Sequence, residues 1–108
     1  MASYFHRRGY DVELTPASDD RGADLLLTAT DRNIVVRLIR QGVPVGNRVV
    51  QEALSGRAFY GAYGAWVITN NTFTRAARND AVVAEVRLID GNELAEWLSK
   101  LLDQYRNG

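Results

Sequence analysis

The sequence predicts a single α/β domain built on a mixed β-sheet with helices on both faces. Three observations support this prediction. Strand-like segments come first along the chain, strand and helix patterns alternate in the second half, and the 108 residues suffice for one hydrophobic core but leave little room for a second module. Alternation of this kind implies parallel pairing in the second half, so the sheet as a whole is expected to be mixed.

The first half of the chain contains three predicted strands. Residues 10–15 alternate apolar and polar side chains, which is typical of a half-buried strand. Residues 23–30 and 33–40 are rich in leucine, isoleucine, valine and threonine, so we expect them to form an antiparallel hairpin in the interior of the sheet. Residues 3–8 are interpreted as the end of a preceding helix.

Helices and strands alternate after this hairpin. Residues 49–58 have the apolar spacing of an amphipathic helix, which ends at the glycine-rich residues 61–64. The apolar run 65–69 predicts a strand that is covered on both faces. Asn71 or Thr72 is expected to cap the next helix.

The C-terminal part has the clearest pattern. Residues 86–89 predict a short strand, and Asp90 followed by Glu93 indicates a capping box at the start of the last helix. That helix carries an apolar stripe, formed by Leu94, Trp97, Leu98, Leu101 and Leu102. Trp66 and Trp97 are expected to lie in the core.

Composition limits the chemistry that the chain can perform. The 13 basic and 13 acidic residues cancel, so contact with nucleic acid would need a local basic face. The absence of cysteine and the single His6 exclude thiolate and multi-histidine metal sites. Lys100 is the only lysine. No segment has the length or composition of a membrane span or a signal peptide, so a cytoplasmic location without membrane contact is expected.

An ordered set of short motifs runs along nearly the whole chain. The motifs are Gly9-Tyr10, Arg21-Gly22-Ala23-Asp24, residues 34–40, Val50-Gln51-Glu52, Tyr60-Gly61-Ala62, residues 67–70, residues 73–77 and residues 88–94. Taken in order, they resemble the Mrr-type restriction endonuclease domain, which belongs to the PD-(D/E)XK group of metal-dependent nucleases. The resemblance implies a restriction-endonuclease-like α/β fold, with three layers (α/β/α) and a mixed central sheet, over residues 1–108 as one domain.

The resemblance also locates the family's catalytic positions. The metal-binding aspartate corresponds to Asp24, and the acidic residue or glutamine and the lysine of the next strand correspond to Arg37 and Ile39. Because strand side chains alternate between faces, Arg37 and Ile39 share the face that would meet the aspartate. A cation and a hydrocarbon there oppose metal binding and supply no amine to orient water. We therefore expect a degenerate nuclease without a cofactor, in which Asp24 is vestigial and pairs with Arg37.

Three functions remain open. The first is an inactive Mrr-like domain that acts as a DNA-binding or interaction module. On this hypothesis it would bind DNA weakly, and it could do so as a homodimer. The second is an active magnesium-dependent DNA endonuclease with a rearranged site, in which Asp24 would hold the metal together with Glu52 or Glu13. The third is a structural assembly domain without nucleic acid. Since little of the expected N-terminal helix precedes Gly9, the chain can also be a fragment of a longer protein.

Further candidate site residues follow the third strand. Gln51 and Glu52 begin the first long helix, where a relocated acid occurs in relatives of this fold. The candidate nucleic-acid contacts are Arg40, Arg48, Arg57, Asn70, Thr72 and Arg75, with Tyr60 or Tyr63 available for stacking. The alternative interpretation of these arginines is a solvated, salt-bridged surface, and ordinary helix capping explains Asn70 and Thr72 equally well.

Overall fold

A computed structural model describes residues 11–14, 24–29 and 32–107 of the chain. Within these ranges it contains five strands and three helices. The strands are β1 (Asp11–Leu14), β2 (Leu25–Thr28), β3 (Asn33–Ile39), β4 (Gly64–Thr69) and β5 (Val86–Ile89), and the helices are α1 (Arg48–Tyr60), α2 (Arg75–Ala84) and α3 (Gly91–Asn107). The helix end predicted at residues 3–8 lies outside the described residues.

The strands form one mixed sheet in the order β1-β2-β3-β4-β5. The β1–β2 and β2–β3 pairs are antiparallel, and the β3–β4 and β4–β5 pairs are parallel. The mixed sheet and the hairpin between the second and third strands are therefore confirmed. None of the described helices combines the length and the apolar composition that crossing a bilayer requires.

Buried apolar residues form a cluster on each face of the sheet. One cluster joins Val35 of β3 to Val50 of α1 and Ala77 of α2. The other joins Val36 of β3 to Trp97 of α3. Because successive strand residues point to opposite faces, β3 contributes to both clusters and α3 lies on the face opposite to α1 and α2. The predicted three-layer α/β/α arrangement is confirmed.

The N-terminus of α2 differs from the prediction. The cap is Thr74, whose hydroxyl accepts a hydrogen bond from the backbone N–H of Ala77 at 3.1 Å. Asn71 and Thr72 do not cap this helix, because the chain just before it is still extended. Val45 donates its backbone N–H to the Thr72 carbonyl and accepts one from Thr74, at 2.8 and 2.9 Å, so this segment is held in a short parallel bridge.

The last helix agrees only partly with its sequence pattern. Asp90 accepts the backbone N–H of Glu93 at 2.9 Å, which is one half of the predicted capping box. The Glu93 carboxylate pairs instead with Arg87, at 2.6 Å. The predicted apolar stripe is not fully covered, since Trp97 is buried whereas Leu98 and Leu102 are 40% and 56% exposed.

Candidate functional site

The two ends of the parallel strands form two distinct edges of the sheet. We call the end of β3 and β4 that carries Ile39 and Thr69 the carboxyl edge, and the end that carries Ile34 and Gly64 the amino edge. Asp24 comes just before β2, and its backbone N–H donates to the Val36 carbonyl at 2.7 Å. The antiparallel β2–β3 pairing therefore brings Asp24 toward the carboxyl edge.

Arg37 links two carboxylates that come from different elements. Its Nη1 lies 3.5 Å from each carboxylate oxygen of Asp24, and its Nη2 lies 3.0 Å from Oε2 of Glu52 in α1. All three side chains are partly buried, with exposures of 29% for Arg37, 37% for Asp24 and 35% for Glu52. The guanidinium thus bridges the carboxylate on the β2 side and the carboxylate on the helix side.

Asp24 has a second and shorter contact in the backbone of β3. The N–H of Leu38 donates to Oδ2 of Asp24 at 2.7 Å. A hydrogen bond from a backbone N–H to a carboxylate at this distance is strong, whereas 3.5 Å is at the long limit for a hydrogen bond from a guanidinium. The Leu38 amide therefore fixes the Asp24 carboxylate, and the Arg37 guanidinium neutralises its charge.

The Nε atom of Arg37 is buried and has no hydrogen-bond partner among the described residues. A buried donor without a partner costs about 1–3 kcal/mol. The guanidinium therefore does not satisfy all of its hydrogen-bond donors in this position. Its position follows from the attraction of its two Nη groups to Asp24 and Glu52.

Ile39 occupies the same face of β3 as Arg37. It packs against the apolar cluster beneath α1 and α2, as expected from the alternation of strand side chains. Lys100 belongs to α3, on the opposite face of the sheet, so its amine is not available here. The side chain of Ile39, beside the Asp24–Arg37 pair, is therefore purely apolar and has no group that could bind or activate water.

The candidate DNA-contacting arginines separate into two groups. Arg40 follows β3, Arg48 begins α1 and Arg75 begins α2, so all three lie at the carboxyl edge. Arg57 lies in the last turn of α1, about 13 Å farther along the helix axis than Arg48 at 1.5 Å per residue. Because α1 returns the chain from the carboxyl edge to the amino edge, the structure does not bring Arg57 together with the others.

The amino edge holds a separate cavity of about 290 Å³, which Arg57 lines together with Tyr63, Glu85 and Arg87. Tyr63 is thus at the opposite edge of the sheet from Arg40 and cannot stack on a base held there. Arg57 also donates to the Ala84 carbonyl at 3.3 Å. Both Arg57 and Tyr63 are therefore far from the other candidate DNA contacts.

Asn70 and Thr72 lie in the loop after β4, which is hydrogen-bonded to the loop after β3 at the carboxyl edge. Asn70 Oδ1 accepts the backbone N–H of Gln41 at 3.1 Å, and Asn71 Nδ2 donates to the Gln41 carbonyl at 3.3 Å. Thr72 is exposed and its hydroxyl has a long, 3.4 Å contact to Asn71. These contacts hold the two loops after β3 and β4 together, so they have a structural role. Gln51 is exposed on α1.

Comparison with known proteins identifies the family. Residues 1–98 match the model of the Mrr catalytic-domain family, described as restriction endonuclease. The chain belongs to this family. No curated protein has a significantly similar sequence. The match covers the β1–β5 sheet and the first eight residues of α3, so the Mrr-type assignment applies to the fold described above.

Three solved structures share the fold of this Mrr-type domain. AF1548, a protein of unknown function, superposes with a TM-score of 0.68 at 14% identity, covering 82% of this chain and 53% of its own. The DNA modification-dependent restriction endonuclease AspBHI gives 0.66 at 16% identity, covering 85% and 26%. MspJI, a restriction endonuclease solved in complex with a 27-mer oligonucleotide, gives 0.62 at 19% identity, covering 94% and 26%. This chain therefore spans about half of the first protein and about a quarter of the other two.

The residues at the carboxyl edge of this Mrr-type domain do not fit a divalent metal ion. Magnesium takes oxygen ligands in octahedral geometry, held by carboxylates, water and phosphate. Here Asp24 and Glu52 each face the Arg37 guanidinium, and Glu52 also has Arg48 at 3.7 Å. Within the described ranges, no group of three or more potential ligands among His, Cys, Asp and Glu comes together. Glu13 lies on β1, paired with Leu26, and is not among the ion-pair partners of Arg37 in the described part of the chain, which are Asp24 and Glu52.

Sequence reasoning missed two contributors to this edge. The Leu38 amide that holds Asp24 leaves no signal in the side-chain pattern, since any residue can supply a backbone N–H. Gln41 joins the two loops through its backbone, and its amide group donates to the carbonyls of Val43 and Pro44 at 2.9 and 3.2 Å. Gly42 and Pro44, which follow Gln41, indicate a turn here, but they do not indicate that Gln41 would join the two loops.

Proposed function

We propose that this Mrr-type domain is catalytically inactive and binds DNA weakly through the carboxyl edge. The Arg37 guanidinium that bridges Asp24 and Glu52 is the observation that carries the proposal. Metal-assisted hydrolysis of a phosphodiester needs oxygen ligands for the ion and a group that activates the attacking water. An arginine in contact with both carboxylates opposes the first requirement, and Ile39 cannot meet the second.

Three arginines at the carboxyl edge support the DNA-binding part of the proposal. Arg40, Arg48 and Arg75 are all exposed, and Arg40 and Arg75 have no ion pair with any described residue. Exposed arginines bind phosphate oxygens and release counter-ions from DNA. One structural neighbour, MspJI, was solved with an oligonucleotide. The zero net charge of the chain implies an affinity that is low and falls with added salt.

Measuring DNA affinity at several salt concentrations tests this proposal. We expect binding of a labelled duplex at low salt, with Arg40→Gln and Arg75→Gln each weakening it severalfold. Arg57→Gln is the matched control, because it removes the same charge at the amino edge and is expected to leave the affinity unchanged. If the unaltered chain does not bind at low salt, the DNA-binding proposal fails and a structural assembly domain is favoured.

An active endonuclease with a rearranged site is the second candidate. One feature favours it: two carboxylates from different elements, Asp24 and Glu52, come to the same place at the carboxyl edge. A plasmid-nicking assay with magnesium or manganese separates the two candidates. We expect no nicking by the unaltered chain, and the same background with Asp24→Asn. Nicking that depends on metal and disappears in Asp24→Asn would establish the active enzyme instead.

The homodimer also stays a proposal. Two copies would present two carboxyl edges to one duplex and would raise the apparent affinity through the second contact. Sedimentation velocity over a range of protein concentrations tests this directly. A mass that rises to twice that of the chain supports the dimer, and a constant monomer mass contradicts it.

A further inference from the structure

Two partly buried carboxylates lie where a DNA phosphate would approach the carboxyl edge. Asp24 and Glu52 are each about one-third exposed, and both face the same guanidinium. Two carboxylates that contact one guanidinium repel each other and any incoming phosphate, and partial burial reduces the screening by salt. A phosphate can approach this place only if the two negative charges are balanced.

Two arginines supply that balance, but they differ in environment. Arg37 is 29% exposed and contacts both carboxylates, whereas Arg48 is 94% exposed and contacts Glu52 alone at 3.7 Å. The pair involving the exposed arginine is worth little and weakens with salt. An arginine side chain also stays protonated at any pH that a protein encounters. Arg37 is therefore the positive charge that contacts both carboxylates of this cluster.

We infer that Arg37 is a built-in counter-ion, which lets this chain bind DNA phosphates without a divalent metal. The inference rests on the DNA binding proposed above and specifies which group balances the negative charge at the same edge. A diffusible ion is removed by a chelator, whereas a side chain is attached to the strand and keeps its charge at every metal concentration. DNA binding by this chain is accordingly independent of magnesium, beyond the general effect of ionic strength.

Loss of Arg37 converts this edge into a metal-dependent one. Without the guanidinium, Asp24 and Glu52 repel each other and the DNA backbone. A divalent ion between the two carboxylates then restores the balance, because carboxylate oxygens are the ligands that such ions prefer. Arg37→Gln should therefore bind DNA weakly in a chelator and more tightly in magnesium.

The test is fluorescence anisotropy of a labelled duplex with EDTA or with magnesium chloride, at equal ionic strength. For the unaltered chain we expect the same Kd in both buffers, within about twofold. For Arg37→Gln we expect a Kd higher on the order of tenfold in EDTA, with most of the loss recovered in magnesium. Arg57→Gln, the matched control at the amino edge, should not differ from the unaltered chain in either buffer. Magnesium-dependent binding by the unaltered chain, or equal weakening of Arg37→Gln in both buffers, would overturn the inference.

A second variant keeps the test decisive if Arg37→Gln does not fold, which circular dichroism would reveal. Glu52→Gln removes one of the two negative charges from a side chain that is one-third exposed. Asp24 is then the single carboxylate beside two arginines, Arg37 and Arg48, so DNA binding in EDTA should become severalfold tighter. Unchanged or weaker binding by Glu52→Gln contradicts the assignment of Arg37 as the counter-ion.

The role of Arg37 as counter-ion can also be tested without DNA. This test distinguishes an error in the counter-ion inference from an error in the proposed DNA binding. If the unaltered chain binds no DNA in either buffer, the proposed function is wrong. Thermal unfolding with manganese chloride then tests Arg37 alone. Manganese should raise the unfolding midpoint of Arg37→Gln and leave that of the unaltered chain unchanged. Equal shifts in both proteins, or none in either, would refute the counter-ion.

Discussion

Gly61 and Glu85 are the residues with a left-handed backbone among those described, with φ values of 59° and 58°. Gly61 ends α1 and Glu85 ends α2 in the same way, each by donating its backbone N–H to carbonyls of the last helical turn. This conformation costs a residue with a Cβ roughly 1–2 kcal/mol relative to glycine. Gly61 avoids that cost and Glu85 does not.

Exchanging the residue types at these two helix ends should change stability in opposite directions. We expect Glu85→Gly to raise the free energy of unfolding by about 1 kcal/mol and Gly61→Ala to lower it by about 1 kcal/mol. No atom outside the adjacent chain lies within 4 Å of a Cβ built on Gly61, so its cost is purely conformational. Urea denaturation measures both effects. Destabilisation by Glu85→Gly would contradict this account of the α2 terminus.

Gly91 is required for a different reason. A Cβ at this position would lie 2.4 Å from the carbonyl oxygen of Asn70 and 2.9 Å from its carbonyl carbon, both in the backbone. Gly91→Ala should therefore destabilise the fold by about 1–3 kcal/mol, the usual cost of overpacking. Gly42→Ala is the control, because nothing lies within 4 Å of its Cβ and we expect a change below about 0.5 kcal/mol. Equal stability of the two variants in urea denaturation would show that the loop after β4 yields easily.

At the scale of elements, the start of α2 allows the observed cap, Thr74, to be compared with Thr72, one of the two caps that the sequence predicted. Thr74 accepts the backbone N–H of Ala77, whereas the Thr72 hydroxyl has only a long, exposed contact. We expect Thr74→Ala to lower the free energy of unfolding by about 1 kcal/mol and Thr72→Ala to change it by less than about 0.5 kcal/mol. Chemical denaturation of the two variants measures the difference. A larger loss of unfolding free energy in Thr72→Ala than in Thr74→Ala would indicate that Thr72 is the cap, as the sequence pattern predicted.

The elements show which features a local pattern can predict. Apolar–polar alternation at residues 10–15, together with short apolar segments farther along the chain, was enough to predict all the described strands, because the burial of a strand shows in its local pattern. The start of α2 was misplaced, since the chain before it is held by Val45 from a loop distant in sequence. Likewise, half of the capping box at α3 is absent because Arg87 competes for the Glu93 carboxylate. Arg87 also lies over the rings of Trp66 and Trp97, 5.1 and 5.3 Å from their centroids.

At the scale of the whole molecule, the sheet separates two surfaces that the sequence alone could not separate. Arg48 and Arg57 belong to the same helix, and both were candidate nucleic-acid contacts in the sequence. The crossover from β3 to β4 places one at the carboxyl edge and the other at the cavity of the amino edge. The family's motif order and strand alternation were enough to predict Arg37 and Ile39 on one face. The bridge from Arg37 to Glu52 depends on how α1 packs, which no local pattern specifies.

The central claim is that Arg37 stands where a divalent ion would otherwise be held between Asp24 and Glu52. The most direct measurement is a calorimetric titration of manganese into the unaltered chain, with Asp24→Asn as the comparison. We predict no saturable heat in either protein, because Arg37 contacts both carboxylates and, together with Arg48, balances their charge. A saturable signal in the unaltered chain that disappears in Asp24→Asn would contradict the claim.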